Sequence, residues 1–114
     1  MDQKQLEEFR EYRQKMNEKI LNSDHLGIKR FFNLDTQAYT EGALDSKTKE
    51  MLGLVASLVL RCDDCISYHI LQCAEQKVTR SEMIEVFNVG LVVGGSIVIP
   101  HLRRAFETME QMLP

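Results

Sequence analysis

Apolar side chains recur every third or fourth residue from Leu6 to Met112, and that period restricts the chain to helices packed against helices. Leu6, Phe9, Tyr12, Met16 and Ile20 draw one stripe along a first helix over residues 3–22, and Asn22, Ser23 and Asp24 supply its stop. A short second helix is expected over residues 25–33, carrying Phe31 and Phe32. Residues 34–45 read as a connector, with Gly42 in a turn and Asp45 or Ser46 as the next N-cap. A third helix over 47–60 is apolar on nearly every side from Met51 onward, so it is expected to be buried all round. A fourth, over 63–76, follows directly. Thr79 and Glu82 form a T-x-x-E capping box that opens a fifth helix running to about Val93. Gly94 and Gly95 break it, and a sixth helix follows with Pro100 in its first turn and a stripe of Leu102, Ala105, Phe106, Met109 and Met112.

No alternating strand pattern of useful length and no internal repeat is present. The runs LGLVASLVL and VGLVVGGSIVI are each readable as buried strands. Length and the lack of turn residues favour helix for the first; the second is ambiguous at its glycine pair. The fold class is therefore all-α, a bundle of about six helices with a hairpin bearing a CxxC pair at its centre.

The 114 residues suit a single domain over 1–114, and 44% apolar with 27% charged residues is enough for one core. A net charge of −3 opposes nucleic-acid binding, which calls for a basic excess. The opening MDQKQLEEFR has three acidic residues and no apolar signal-peptide core, and the longest uncharged run, 86–100, is short and glycine-broken. No membrane partner and a cytoplasmic location are expected. Two helices of buried character in so small a chain expose more apolar surface than one copy can cover, so a homo-oligomer is expected, with the N-terminal helix serving packing or oligomerisation.

Three cysteines, two of them three positions apart, do not make a structural disulfide framework. The segment Arg61-Cys62-Asp63-Asp64-Cys65-Ile66-Ser67-Tyr68-His69 places Cys62, Cys65 and His69 near one face of a helix. Cys62 lies at the helix start, where free N–H groups favour a thiolate. Cys65 is one turn on, within reach of Cys62. His69 is at the i, i+4 spacing from Cys65, where an imidazole can take a thiol proton and return it. Asp63 and Asp64 stabilise the helix start but oppose a thiolate; both are expected to point to solvent. In an antiparallel hairpin turning at Arg61, Glu50 lies 11 residues before the turn and His69 8 after it. The offset of three residues is about 4.5 Å along the axis, a gap a glutamate spans. A buried carboxylate there would orient the imidazole.

The pattern Glu50-x11-Cys62-x2-Cys65-x3-His69 resembles the signature of the alkylhydroperoxidase D-like (AhpD-like) proteins, within the carboxymuconolactone decarboxylase family. The resemblance covers roughly residues 44–106. It implies an all-helical, oligomeric protein, a trimer or hexamer, whose redox branch reduces hydroperoxides. Residue by residue, it makes Cys65 the peroxide-attacking thiolate, Cys62 the resolving cysteine, and His69 with Glu50 the proton relay. It implies a hydroperoxide or disulfide substrate, a lipoyl-bearing or thioredoxin-like reductant, and no cofactor. The Asp63-Asp64 pair departs from the better-studied peroxidases of this kind.

Other readings stand beside this one. The wider family includes lactone decarboxylases that use acid–base groups without the cysteine pair. Cys62, Cys65, His69 and Cys73 name four zinc ligands, although one straight helix does not surround a tetrahedral ion. A non-catalytic, redox-sensing or metal-binding helical oligomer is the third. Cys73 reads as a small core residue. His101 reads as a pocket residue, an oligomer contact or an ordinary helix-start residue. Arg103 and Arg104 read as a solvated face or an interface ion pair.

Overall fold

The starts of the first five α-helices coincide with residues whose side chains satisfy free backbone N–H groups. The computed structural model describes residues 1–113, and among these are α1 (Gln3–Leu21), α2 (Leu26–Ala38), α3 (Ser46–Leu60), α4 (Asp63–Glu75), α5 (Arg80–Gly94), a 3₁₀ turn (Ser96–Val98) and α6 (Ile99–Met112), with no strand. Asp2 caps α1 and closes a capping box with Gln5; Asp45 caps α3; Thr79 and Glu82 close the box that opens α5. The His25 ring accepts from the Ile28 N–H at the head of α2. The all-α expectation holds.

Two boundaries differ from expectation. α2 runs to Ala38, five residues past the expected end, because Leu34-Asp35-Thr36-Gln37-Ala38 contains no glycine or proline to stop it. The connector thereby shrinks to residues 39–45. The glycine pair resolves as a helix end: α5 stops at Gly94, and Gly95 takes φ 83°, a conformation that favours glycine. The chain then turns through the 3₁₀ segment into α6, with Pro100 inside the first turn, where its missing N–H costs nothing.

α3 sits between α4 and α5, and α6 packs on α4. Leu54 and Leu58 of α3 meet Ile66, Ile70 and Cys73 of α4, Met83 and Phe87 of α5, and Ala105 and Met109 of α6 in one core, joined by Val78 and Val98. Gly90 permits close approach of α5 to α3: a Cβ there would stand 2.9 Å from Leu58 Cδ1. α1 lies across the end of α6, burying Leu6 and donating from Gln3 Nε2 to the Gln111 carbonyl at 3.1 Å.

α3 is not buried on every side within this chain. Leu52 is 53% exposed and Leu60 projects outward, as do Val89, Val92 and Val93 of α5. The reason is geometric: α4 and α5 cover only part of the α3 circumference, and in a bundle this small no further helix covers the rest. No described helix is long and apolar enough to cross a membrane.

Leu58 is fully buried at the α3–α5 crossing. Leu58→Ala is expected to cost about 2–5 kcal/mol in urea unfolding, from lost transfer energy and the cavity left behind. A loss below about 1 kcal/mol would mean that this crossing does not hold the core together.

Candidate active site

The site begins at a turn of two residues. Arg61 ends α3 in the left-handed region (φ 59°, ψ 43°), and its N–H donates to the Leu58 carbonyl at 3.1 Å. The Cys62 N–H donates to the Ser57 carbonyl, also at 3.1 Å, which satisfies the helix end as α4 begins. α3 and α4 therefore run antiparallel with little chain between them. Cys62 is the N-cap of α4, its Sγ accepting from the Cys65 N–H at 3.3 Å.

Cys62 and Cys65 are joined in a disulfide, with their Cα atoms 5.3 Å apart. Cys65 is exposed and Cys62 half-buried. The pair stands at a helix N-terminus, where backbone N–H groups and the helix dipole favour a thiolate once the bond is reduced.

Behind the disulfide, the hairpin brings Glu50 and His69 together, as the axial offset predicts. Glu50 Oε2 lies 2.9 Å from His69 Nδ1, and the two residues are 5% and 8% exposed. A carboxylate only accepts, so Nδ1–H is the donor in this pair. The Tyr39 hydroxyl stands 3.5 Å from Nε2, at the long end of hydrogen-bond range. The Tyr68 ring also packs near, its centre 5.2 Å from that of His69. No hydrogen bond joins the imidazole to either sulfur in this oxidised arrangement; its nitrogens face Glu50 and Tyr39.

Burial, and then the charge of Glu50, push the Tyr39 and Tyr68 hydroxyls above their ordinary range, so both remain protonated donors at neutral pH. The Arg13 charge partly opposes this at Tyr68. Cys73 is buried in the core, and burial with the nearby Glu50 charge pushes its thiol up to about 12. It is an inert core residue, as its sequence position suggests.

The two acidic residues between the cysteines do not simply face solvent. Asp63 lies 2.7 Å from His101 Nδ1 and 2.9 Å from Arg104 Nη2, both on α6. Partial burial pushes the Asp63 carboxyl up, but the bonds from His101 and Arg104 outweigh it and hold the group below its usual range. Asp64 pairs with Arg13 of α1 at 3.1 Å. The reason is topological: α1 and α6 carry cations past the α4 N-terminus, and the carboxylates turn to meet them. His101 is thus a hydrogen-bond partner of the CxxC segment rather than an ordinary helix-start residue. Among the described residues, no three of His, Cys, Asp and Glu converge as metal ligands would.

Residues 28–108 match the carboxymuconolactone decarboxylase family. The chain belongs to this family. Within it, a Thermotoga maritima protein of known structure is 54% identical over 92% of each chain, with a TM-score of 0.89. A second structure of the same Thermotoga maritima protein, described as a carboxymuconolactone decarboxylase family protein with a possible involvement in an antioxidative response, is 53% identical over 92% of this chain and 89% of its own, at TM-score 0.88. A family protein from Legionella pneumophila is 23% identical over 96% of this chain and 98% of its own, at TM-score 0.86, and shares the fold. The AhpD-like helical fold is thereby established. An uncharacterised Cupriavidus necator protein is 29% identical over 58 residues, and the chain spans about half (51%) of that relative's length.

Tyr39, Tyr68, Arg13 and Gly53 are site neighbours that the sequence did not point to. Tyr39 falls in what reads as a featureless connector. Tyr68 at least adjoins His69, which was the available signal. Gly53 is placed by tertiary structure: a Cβ there would stand 2.6 Å from His69 Cε1 and 2.8 Å from the Tyr39 hydroxyl.

Gly53→Ala is therefore expected to keep the helical fold but displace the His69 ring. Imidazole resonances in NMR spectra should shift, and stability should fall by about 1–3 kcal/mol despite the gain in helix propensity. Unchanged ring resonances would show that the ring does not depend on this gap.

Proposed function

We propose that this family member is a thiol-dependent oxidoreductase that reduces hydroperoxides, or exchanges disulfides, on Cys62 and Cys65, with His69 and Glu50 as the proton relay. The observation that carries the reading is the Cys62–Cys65 disulfide at the α4 N-terminus with the buried Glu50–His69 pair one turn behind it. Cys65, the more exposed of the two residues, is assigned the attack. Its thiolate bonds to the terminal oxygen of the hydroperoxide and the O–O bond breaks. Sulfur is oxidised to sulfenic acid, and the departing alkoxide takes a proton to leave as an alcohol. The Cys62 thiol then attacks the Cys65 sulfur, water leaves, and the disulfide forms. A dithiol donor, lipoyl-bearing or thioredoxin-like, gives two electrons and two protons to restore both thiols.

His69 and Glu50 supply proton traffic for these steps. Glu50 fixes the ring by accepting from Nδ1, which leaves Nε2 as the working nitrogen. Tyr39 occupies Nε2 in the oxidised arrangement, so use of that nitrogen requires the hydroxyl to move aside or to pass a proton on.

The same Glu50–His69 pair supports a second reading, acid–base chemistry on a lactone, because the ring contacts oxygens rather than sulfur. The two readings part on the cysteines. The reduced native protein should lose two thiols to one equivalent of peroxide, with Cys73 detectable only after denaturation. Cys65→Ser should abolish the loss, and Cys62→Ser should leave a sulfenic acid on Cys65. Unchanged thiol counts would end the redox reading. Lactone decarboxylation lost with His69→Ala but kept in Cys65→Ser would favour the other.

A homo-oligomer, trimeric or hexameric, completes the proposal. Its support is the apolar band of Leu52, Val89, Val92 and Val93, with Val92 74% exposed. Sedimentation velocity is expected to show an assembly, and Val92→Glu should dissociate it. A monomeric wild type at micromolar concentration would refute this part.

A further inference from the structure

We propose that Arg13, on the N-terminal helix, is a positioning residue of the thiol site: it neutralises Asp64 between the cysteines and braces Tyr68 against His69. This deepens the thiol reading and rests on it.

Three contacts place Arg13. Its Nη1 donates to Asp64 Oδ2 at 3.1 Å. Its guanidinium lies 4.2 Å from the centre of the Tyr68 ring, at cation–π distance. It also lies 5.6 Å from the Phe9 ring on its own helix. The side chain is only 29% exposed, which distinguishes it from an ordinary surface arginine. One planar cation therefore touches both halves of the site, the acidic start of α4 and the tyrosine beside the imidazole. α1 lies outside residues 28–108, which match the family.

Charge explains why the contact matters. The Cys65 thiolate must form beside Asp63 and Asp64 on α4, each of which opposes a negative sulfur. Asp63 is answered by His101 and Arg104 of α6. Arg61 belongs to the preceding turn, while Glu50 of α3 and Tyr39, just past the end of α2, face His69. Asp64 has Arg13 as its cation among the described residues. Without Arg13, one carboxylate beside the sulfurs is uncompensated, and the thiolate becomes harder to form.

The test uses the Cys62→Ser protein, in which Cys65 is the accessible thiol and Cys73 is buried. Iodoacetamide alkylation is followed across pH. Arg13→Ala is expected to slow the reaction at neutral pH roughly two- to tenfold and to move the pH profile upward. Asp64→Asn added to Arg13→Ala should restore the rate to within about twofold, since no carboxylate then needs neutralising. Arg13→Lys should keep most of the rate, because it keeps the charge. Arg13→Gln repeats the measurement if alanine loosens α1, with circular dichroism checking the fold.

A purely structural role for α1 gives a different pattern: the single and double variants would be altered alike. That result, or an unchanged rate in Arg13→Ala, overturns the proposal. Sulfenic acid formation on Cys65 in the same parent protein tests the underlying reading separately. Its absence ends the thiol assignment, whereas its presence with an unaltered alkylation profile ends only the role of Arg13.

Discussion

The buried hydrogen bond between Glu50 and His69 depends on a hairpin tight enough to bring two helices into register within two residues. Arg61 accepts a left-handed backbone, at a cost of about 1–2 kcal/mol for a residue with a Cβ, so that Cys62 can cap the returning helix. The carboxylate and the imidazole then meet at 2.9 Å in a region nearly closed to water. Burying such a pair gives little net stability, yet removing one partner strands the other and is costly. The hairpin is therefore specified by its polar centre as well as by the apolar residues around it. Leu54, Leu58, Ile66 and Ile70 of the same two helices belong to the buried core.

The surroundings of the disulfide follow from the same hairpin. α4 presents its N-terminus, with the two sulfurs and two carboxylates, at a place where α1 and α6 both pass. Arg13 arrives from one side, His101 and Arg104 from the other. The Asp63-Asp64 pair, which in isolation disfavours a thiolate, thus sits in a neutralised setting. Isolated surface ion pairs add little stability, but a charge placed beside a titrating sulfur acts on the sulfur rather than on the fold.

Much of this arrangement was legible beforehand, for identifiable reasons. The α4 and α5 starts were visible because capping is local: Cys62-Asp63-Asp64 and Thr79-x-x-Glu82 place the needed atoms within one turn. The meeting of Glu50 with His69 was legible because a hairpin with a short turn converts sequence spacing into axial distance. The extent of α2 was less so. Its tail carries no strong period and buries nothing, so no pattern marked where it ends. The all-round burial expected of α3 also failed, since an apolar helix does not state which of its faces a small bundle can cover.

The sequence by itself determined the helical class, the order of the elements, and the grouping of two cysteines and a histidine along one helix. These depend on neighbours within a few residues, where backbone geometry alone sets the distances. Tertiary structure decided which side chains from other helices reach that group. Tyr39 comes from the residue that follows α2, 30 before His69, and Arg13 from α1, 51 before Asp64. Their arrival depends on how whole helices cross, and that is settled by packing many side chains at once. A local period carries no record of that outcome.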